Sequence, residues 1–169
     1  RYNRCKSVFN RKKISMNNFK DKFPNLVFDD FFDGKVIAKG HLIQYYPTKI
    51  IKNIFIEFNG KYKDDNLAIT ENYHESENKI VRKWKFKKIS ANQFIGEEEN
   101  VNGKIRVAVN KNTLQMNYLF NILFKKIPIT VKVKDDMYLV EKNVIINCTI
   151  VSKYKIKLAE TFLYYKKIS

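Results

Sequence analysis

A chain of 169 residues, 44% hydrophobic and 14% aromatic, is long enough for one domain with its own core and too apolar to be disordered. Its 33 Lys and Arg against 17 Asp and Glu give a net charge of +16, an attraction for phosphates, anionic lipid or acidic partners that also fits a compositional bias toward Lys, Asn and Ile. No apolar stretch reaches the ~18 residues that a membrane-spanning helix needs, and two Cys form neither a disulfide framework nor a metal pattern.

Residues 1–20 read as a basic leader or tether, crowded with Arg1, Arg4, Lys6, Arg11, Lys12 and Lys13, with a short helix near Ile14 to Phe19 as its one structural suggestion. Residues 21–169 read as the folded domain. Asp29, Asp30, Phe31, Phe32, Asp33 and Gly34 form an acidic-aromatic entry, followed by an extended run from Lys35 to Tyr46 that Pro47 breaks. Ile50 to Phe58 is the next run. Asn59-Gly60 is the expected hairpin turn after it, since an N-G step between β-rich runs is a strong hairpin signal. A polar turn at Lys63 to Asn66 then leads to Leu67–Tyr73. Ile80 to Lys88 alternates most clearly: Ile80, Arg82, Trp84 and Phe86 on one face, Val81, Lys83, Lys85 and Lys87 on the other. Gln93 to Glu99 precedes a second expected N-G turn at Asn102-Gly103. Ile105, Val107 and Val109 then alternate with charged neighbours before the Asn110-Lys111-Asn112 turn. Leu114, Met116, Tyr118 and Phe120 share a face, although Leu119, Ile122 and Leu123 also fit helical spacing. Ile129, Val131 and Val133 lead to Asp135-Asp136. Met137–Val140, Val144–Val151 and Lys157–Lys166 complete the chain.

Eight to ten short strands at regular spacing, linked by tight turns, imply an all-β fold: a single antiparallel up-and-down β-barrel, which leaves no exposed sheet edge. An eight-stranded barrel has room for packed side chains or one small ligand.

Phe32-Asp33-Gly34-Lys35, Ala38-Lys39-Gly40, Phe58-Asn59-Gly60, Glu71-Asn72-Tyr73, Arg82-Lys83-Trp84, Asn102-Gly103 and Asn117-Tyr118 follow in order along the chain. So do Asp135-Asp136-Met137-Tyr138-Leu139, Ile145-Ile146-Asn147, Ser152-Lys153-Tyr154 and Glu160-Thr161. Over about Phe28 to Lys167 this series resembles the bacterial domain-of-unknown-function family 3833. The resemblance implies a lipocalin-like (calycin-type) barrel and a place in the bacterial cell envelope, many members looking like lipoproteins, and it implies no reaction. Cys5 is not expected to be acylated, because Arg4 stands where such lipoproteins carry a small residue.

His41 and His74 have no Cys or carboxylate at ligand spacing, so no metal is expected. No G-x-S-x-G and no phosphate-cradling Gly loop occurs, and no cofactor is expected. Asp135-Asp136 reads as a turn or an ion pair near the barrel mouth, since neighbours on a strand point to opposite faces. Glu97-Glu98-Glu99 reads as a solvated strand end. By its parity Arg82 points inward, where it needs Glu71 or Glu160 as a partner, or the head group of a ligand. Lys153 beside Tyr154 poses the same question. Trp84, Tyr73, Phe86, Met116 and Tyr118 would form the apolar walls, giving a candidate ligand site of Arg82, Trp84, Tyr73, Glu71, Phe86, Met116, Tyr118 and Lys153.

The first expectation is a monomeric, non-enzymatic barrel that binds a hydrophobic or amphiphilic, lipid-like small molecule in the envelope. The alternative is a structural or interaction module whose basic surface docks an anionic membrane or an acidic partner. Nucleic acid is not an expected partner, for Arg is sparse and no recognised motif is present.

Overall fold

The computed structural model describes residues 23–74, 80–124 and 126–169. The basic leader, with Cys5 and the short helix suggested there, lies outside the described residues.

A five-residue helix, α1 (Phe28–Phe32), precedes ten strands: β1 (Gly34–Gln44), β2 (Ile50–Lys63), β3 (Asn66–Tyr73), β4 (Ile80–Ser90), β5 (Gln93–Glu97), β6 (Val101–Asn110), β7 (Thr113–Phe124), β8 (Ile127–Glu141), β9 (Val144–Lys153) and β10 (Ile156–Lys167). Each strand pairs antiparallel with its sequence neighbours. β1 also pairs with β10, from Val36 opposite Lys167 to Gln44 opposite Ala159, and closes the barrel. The up-and-down meander expected from the alternation, and the lipocalin-like barrel implied by the resemblance, are what forms. The segment with competing helical spacing is strand β7 over its whole length, because Leu114, Met116 and Phe120 bury at period two.

Both N-G steps were expected to be turns, and neither is one. β2 runs straight through Asn59-Gly60, and the chain reverses at Asp64-Asp65, whose φ of 49° and 60° match the positive values that a tight two-residue hairpin needs. Gly60 serves a different end. A Cβ there would sit 1.7 Å from the carbonyl oxygen of Phe32, so only glycine lets α1 end against β2. Asn102-Gly103 lies within β6, with Gly103 at φ 91° beside a shift of register between Asn102 and Arg106. It is a bulge. The turn before it is closed by the Val101 N–H donating to the Glu98 carbonyl at 3.0 Å and the Asn100 N–H to the Glu98 carboxylate at 2.7 Å.

Asp135-Asp136, read as a turn or an ion pair, lies inside a continuous strand, β8, and Asp136 forms an ion pair there. Asp136 faces outward, where Lys134 Nζ lies 2.6 Å and Gln115 Nε2 3.1 Å from its carboxylate. Asp135 is buried and faces the interior.

α1 closes one end. The segment before it is tied across that end by the Leu26 N–H, which donates to Lys111 O at 2.8 Å. Phe28, Phe31 and Phe32 fall at i, i+3 and i+4 and bury together, while Asp29 and Asp30 occupy the first turn, where the helix dipole favours negative charge. Five residues cannot hold a helix by themselves, so packing holds this one. The Phe28 ring meets Phe32, Phe86 and Phe94 edge-on at centroid separations of 5.4, 5.1 and 5.0 Å. Asp29 receives Lys88 Nζ of β4 at 2.7 Å. Replacing Phe28 by Ala is expected to cost about 3–5 kcal/mol of stability with the β-sheet signal retained. Urea unfolding followed by circular dichroism measures this, and a loss below about 1 kcal/mol would mean that α1 does not seal the barrel.

Candidate functional site

Above the aromatic seal the interior is not filled. A cavity of about 310 Å³ runs upward from Phe28 and Phe32. It is lined by the inward residues of eight strands: Leu42 of β1; Ile54, Ile56 and Phe58 of β2; Ile69, Glu71 and Tyr73 of β3; Arg82, Trp84 and Phe86 of β4; Met116, Tyr118, Phe120 and Ile122 of β7; Val131, Val133, Asp135 and Met137 of β8; Thr149 and Val151 of β9; and Thr161, Leu163 and Tyr165 of β10. Strands β5 and β6 contribute none of them. Their inward residues Phe94, Ile105 and Val107 pack into the core.

Glu71, Tyr73, Arg82, Trp84, Phe86, Met116 and Tyr118, seven of the eight residues singled out from the sequence, line this cavity. Lys153 does not. It stands two positions beyond Val151, the last lining residue of β9, and its ammonium donates to Thr130 O at 2.9 Å. The rim, where backbone carbonyls come within reach, takes it away from the interior.

Of the two partners considered for Arg82, the register selects Glu71, which lies directly opposite it across β3 and β4. Glu160 belongs to another cluster, bound by Tyr45 and by Lys157 at 2.6 Å. Among the described residues no carboxylate comes within 4.0 Å of the guanidinium, which lies over the Phe120 ring at 4.6 Å and near the Tyr73 ring at 5.6 Å. These are cation–π contacts, and they leave the N–H donors of Arg82 available to the cavity. The Glu71 carboxylate instead receives Trp84 Nε1–H at 2.6 Å and the Tyr73 hydroxyl. Burial pushes Glu71 above the usual carboxylate range, against the opposing pull of the Tyr73 hydrogen bond and of Arg82.

Asp135 was not expected in the site. It is buried on the same interior wall. Asn147 Nδ2 and Thr149 Oγ1, the latter at 3.0 Å, both donate to its Oδ1. Burial pushes its pKa to about 6, with the Asn147 and Thr149 hydrogen bonds opposing the rise. Tyr73, Tyr118 and Tyr165 are held well above their ordinary value by burial first and by the carboxylates second, so all three stay neutral hydroxyls. The interior therefore combines a guanidinium, two carboxyls and three neutral phenols, with the hydroxyls of Thr149 and Thr161, within apolar walls. A carboxyl that titrates near pH 6 can give or take a proton at physiological pH.

Asp135 fixes a sign for stability. Below its ordinary value of 3.8 both the folded and the unfolded chain carry the proton, and burial of this carboxyl costs no ionisation. Between 3.8 and about 6 the unfolded chain ionises while the folded protein does not, so stability falls as pH rises; above about 6 the deficit is constant. Asp135→Asn, whose amide oxygen still accepts from Asn147, removes the deficit. The variant is expected to gain on the parent between pH 4 and pH 7, by up to about 3 kcal/mol. Chemical unfolding at the two pH values checks it, and parallel profiles would contradict a buried, raised carboxyl.

Solved structures with the same architecture place this barrel among known folds. The S-type phycobiliprotein lyase CPES from Guillardia theta superposes with a TM-score of 0.62 at 5% identity, over 84% of this chain and 91% of that one. A protein of unknown function from the DUF3598 family of Nostoc punctiforme superposes with a TM-score of 0.59 at 10% identity, over 86% of this chain and 50% of that one. At such identities the likeness is one of fold. The expectation of a non-enzymatic barrel is corrected by the first of them, because the same barrel carries a protein named as a lyase and the fold gives no ground for excluding catalysis. No curated protein matches the chain in sequence. Residues 6–167 match the family described as protein of unknown function, DUF3833, and the chain belongs to that family.

Proposed function

We propose that the barrel binds a hydrophobic or amphiphilic, lipid-like small molecule in the cavity above α1, with the bacterial envelope as its setting by virtue of the family resemblance. The carrying observation is a cavity of about 310 Å³ whose walls are apolar and whose charged groups converge from β3, β4 and β8. That volume lies at the lower end of the range typical of small-molecule sites, roughly 300–1,000 Å³. An interior serving only as core would be packed to the density of an organic crystal, without room for a ligand.

The polar set narrows the chemistry of the ligand. Arg82 offers donors; Asp135 Oδ2 takes no hydrogen bond among the described residues and offers an acceptor. Two carboxyls and one guanidinium do not make a simple anion pocket. The polar end that fits best both accepts from Arg82 and donates to Asp135, as a hydroxyl, an amide or a protonated acid does. Its apolar body lies against Trp84, Phe86, Met116 and the aliphatic residues of β8 and β9. The apolar walls supply affinity and the few polar groups fix orientation.

The test is native mass spectrometry of the full chain purified from cells, followed by organic extraction. A bound amphiphile is expected on the parent protein and at least about tenfold less of it on Arg82→Met, which keeps the side-chain volume but loses the donors and about 1.5–3 kcal/mol of charge-assisted hydrogen bonding. The melting curve of the variant shows that the barrel still folds. Trp84, the only tryptophan, reports independently, since its emission is expected to shift when the ligand is extracted. An empty parent protein whose Trp84 emission does not change on extraction would contradict the reading.

A further inference from the structure

We propose that three neighbouring hairpins at the open end of the barrel form a docking face for a bilayer containing anionic phospholipid. The two ends of the barrel differ in their turns, although Phe23, Val27, Ile89 and Ile168 are also about half exposed at the sealed end. At the end sealed by α1 the turns are polar, built on Asp64-Asp65, Ser90, Asn110-Lys111-Asn112 and Glu141-Lys142-Asn143. At the open end, the hairpins β1–β2, β7–β8 and β9–β10 carry large apolar side chains into solvent. Tyr154 is 85% exposed and Leu123 76%, and Tyr46, Ile51, Ile127 and Ile156 are all more than half exposed. Such side chains at turns gain nothing from water, and grouped on one face they mark an interaction surface.

The three hairpins form one continuous face. In the barrel order β2–β1–β10–β9–β8–β7 they are consecutive. The Tyr46 ring stacks on Phe124 at 5.8 Å, joining the β1–β2 tip to the β7–β8 tip, and the Lys153–Thr130 hydrogen bond joins β9 to β8. The charge there has one sign. Residues 44–52, 121–130 and 151–158 contain no Asp or Glu, while Lys49, Lys52, Lys126 and Lys155 stand exposed among the apolar tips. Glu160, the acidic residue next to this face, is buried and held by Lys157 and Tyr45, and Glu98 and Glu99 fall on the opposite side of the rim between β5 and β6.

This combination selects the occupant. Separate protruding tips with aliphatic and tyrosine side chains suit a soft medium that they can enter, with tyrosines at headgroup level and lysines set toward anionic headgroups. A nucleic acid would use the lysines and leave Leu123, Ile127 and Ile156 in water. The face also borders the cavity, since Leu42, Ile122 and Val151 line it from the same strands. Docking therefore sets the cavity mouth beside the bilayer, although the proposal stands whether or not the cavity holds a ligand.

The test is flotation of the full 169-residue chain with vesicles of phosphatidylcholine alone and of phosphatidylcholine mixed with phosphatidylglycerol. Binding is expected only to the mixed vesicles. The tip pair Leu123→Asp with Tyr154→Asp, and the charge pair Lys49→Glu with Lys155→Glu, are each expected to weaken it by at least about tenfold. Lys63→Glu with Lys142→Glu, the same charge change at the sealed end, is expected to leave it within about twofold of the parent. Leu123→Ser with Tyr154→Ser is the milder tip pair if the aspartates disturb folding, as read from melting curves. Three results would overturn the proposal: no binding to either vesicle, equal weakening by both charge pairs, or full binding by the tip variants. Tip-dependent retention on single-stranded DNA in place of vesicles would overturn it in favour of a nucleic-acid partner.

Discussion

A barrel of ten strands is wider than one whose interior is just filled by its own side chains, which is the condition at about eight strands. Something else has to occupy the axis, and in this protein it is α1. Phe28 stands edge-on to three other rings at 5.0–5.4 Å, and Lys88 pins Asp29 to β4. Because the plug fills one end only, the rest of the axis is left as a cavity. Every other feature of functional interest is a consequence: the polar residues that line the cavity, the open rim above it and the contrast between the two ends.

The cavity is not an inert gap, because it contains charges that cost stability. Glu71 and Asp135 are both raised by burial, and the charge of Glu71 raises Asp135 further. Hydrogen bonds from Trp84, Asn147 and Thr149 meet part of that cost, and Arg82 lies opposite Glu71 without closing on it. A core selected for stability alone would place apolar residues here. Buried, perturbed carboxyls beside an open space are the usual mark of a site that handles a ligand. The same carboxyls leave room for acid–base work on that ligand.

Most of the barrel could be read in the sequence because period-two burial is a direct imprint of the pleat, most clearly in β3, β5 and β6. The same parity placed Arg82, Trp84 and Phe86 inside. The failures share one origin: local composition resembled a turn where tertiary contacts demanded a strand. Asn59-Gly60 has hairpin chemistry, yet its glycine is needed for the approach of Phe32. Asn102-Gly103 is a bulge, its glycine at φ 91° in open space beside the shift of register. Asp135-Asp136 suggested a polar turn or an ion pair; there is no turn, Asp136 does pair outward with Lys134, and Asp135 is buried with Asn147. The signal that could have found Asp135 was its parity with Val131, Val133 and Met137, and the second carboxylate beside it masked that signal. Lys153 had the right parity and lay too near the rim. The five-residue α1 is too short for periodicity to define.

The central claim is that the space left by the plug is a binding site. A crystal structure of the protein as purified from cells, without delipidation, tests it most directly. The account predicts continuous density for one elongated molecule above Phe28 and Phe32, its polar end within hydrogen-bond distance of Arg82 or Asp135. A cavity holding only ordered water, or side chains collapsed into it so that Arg82 closes on Glu71, would contradict the account.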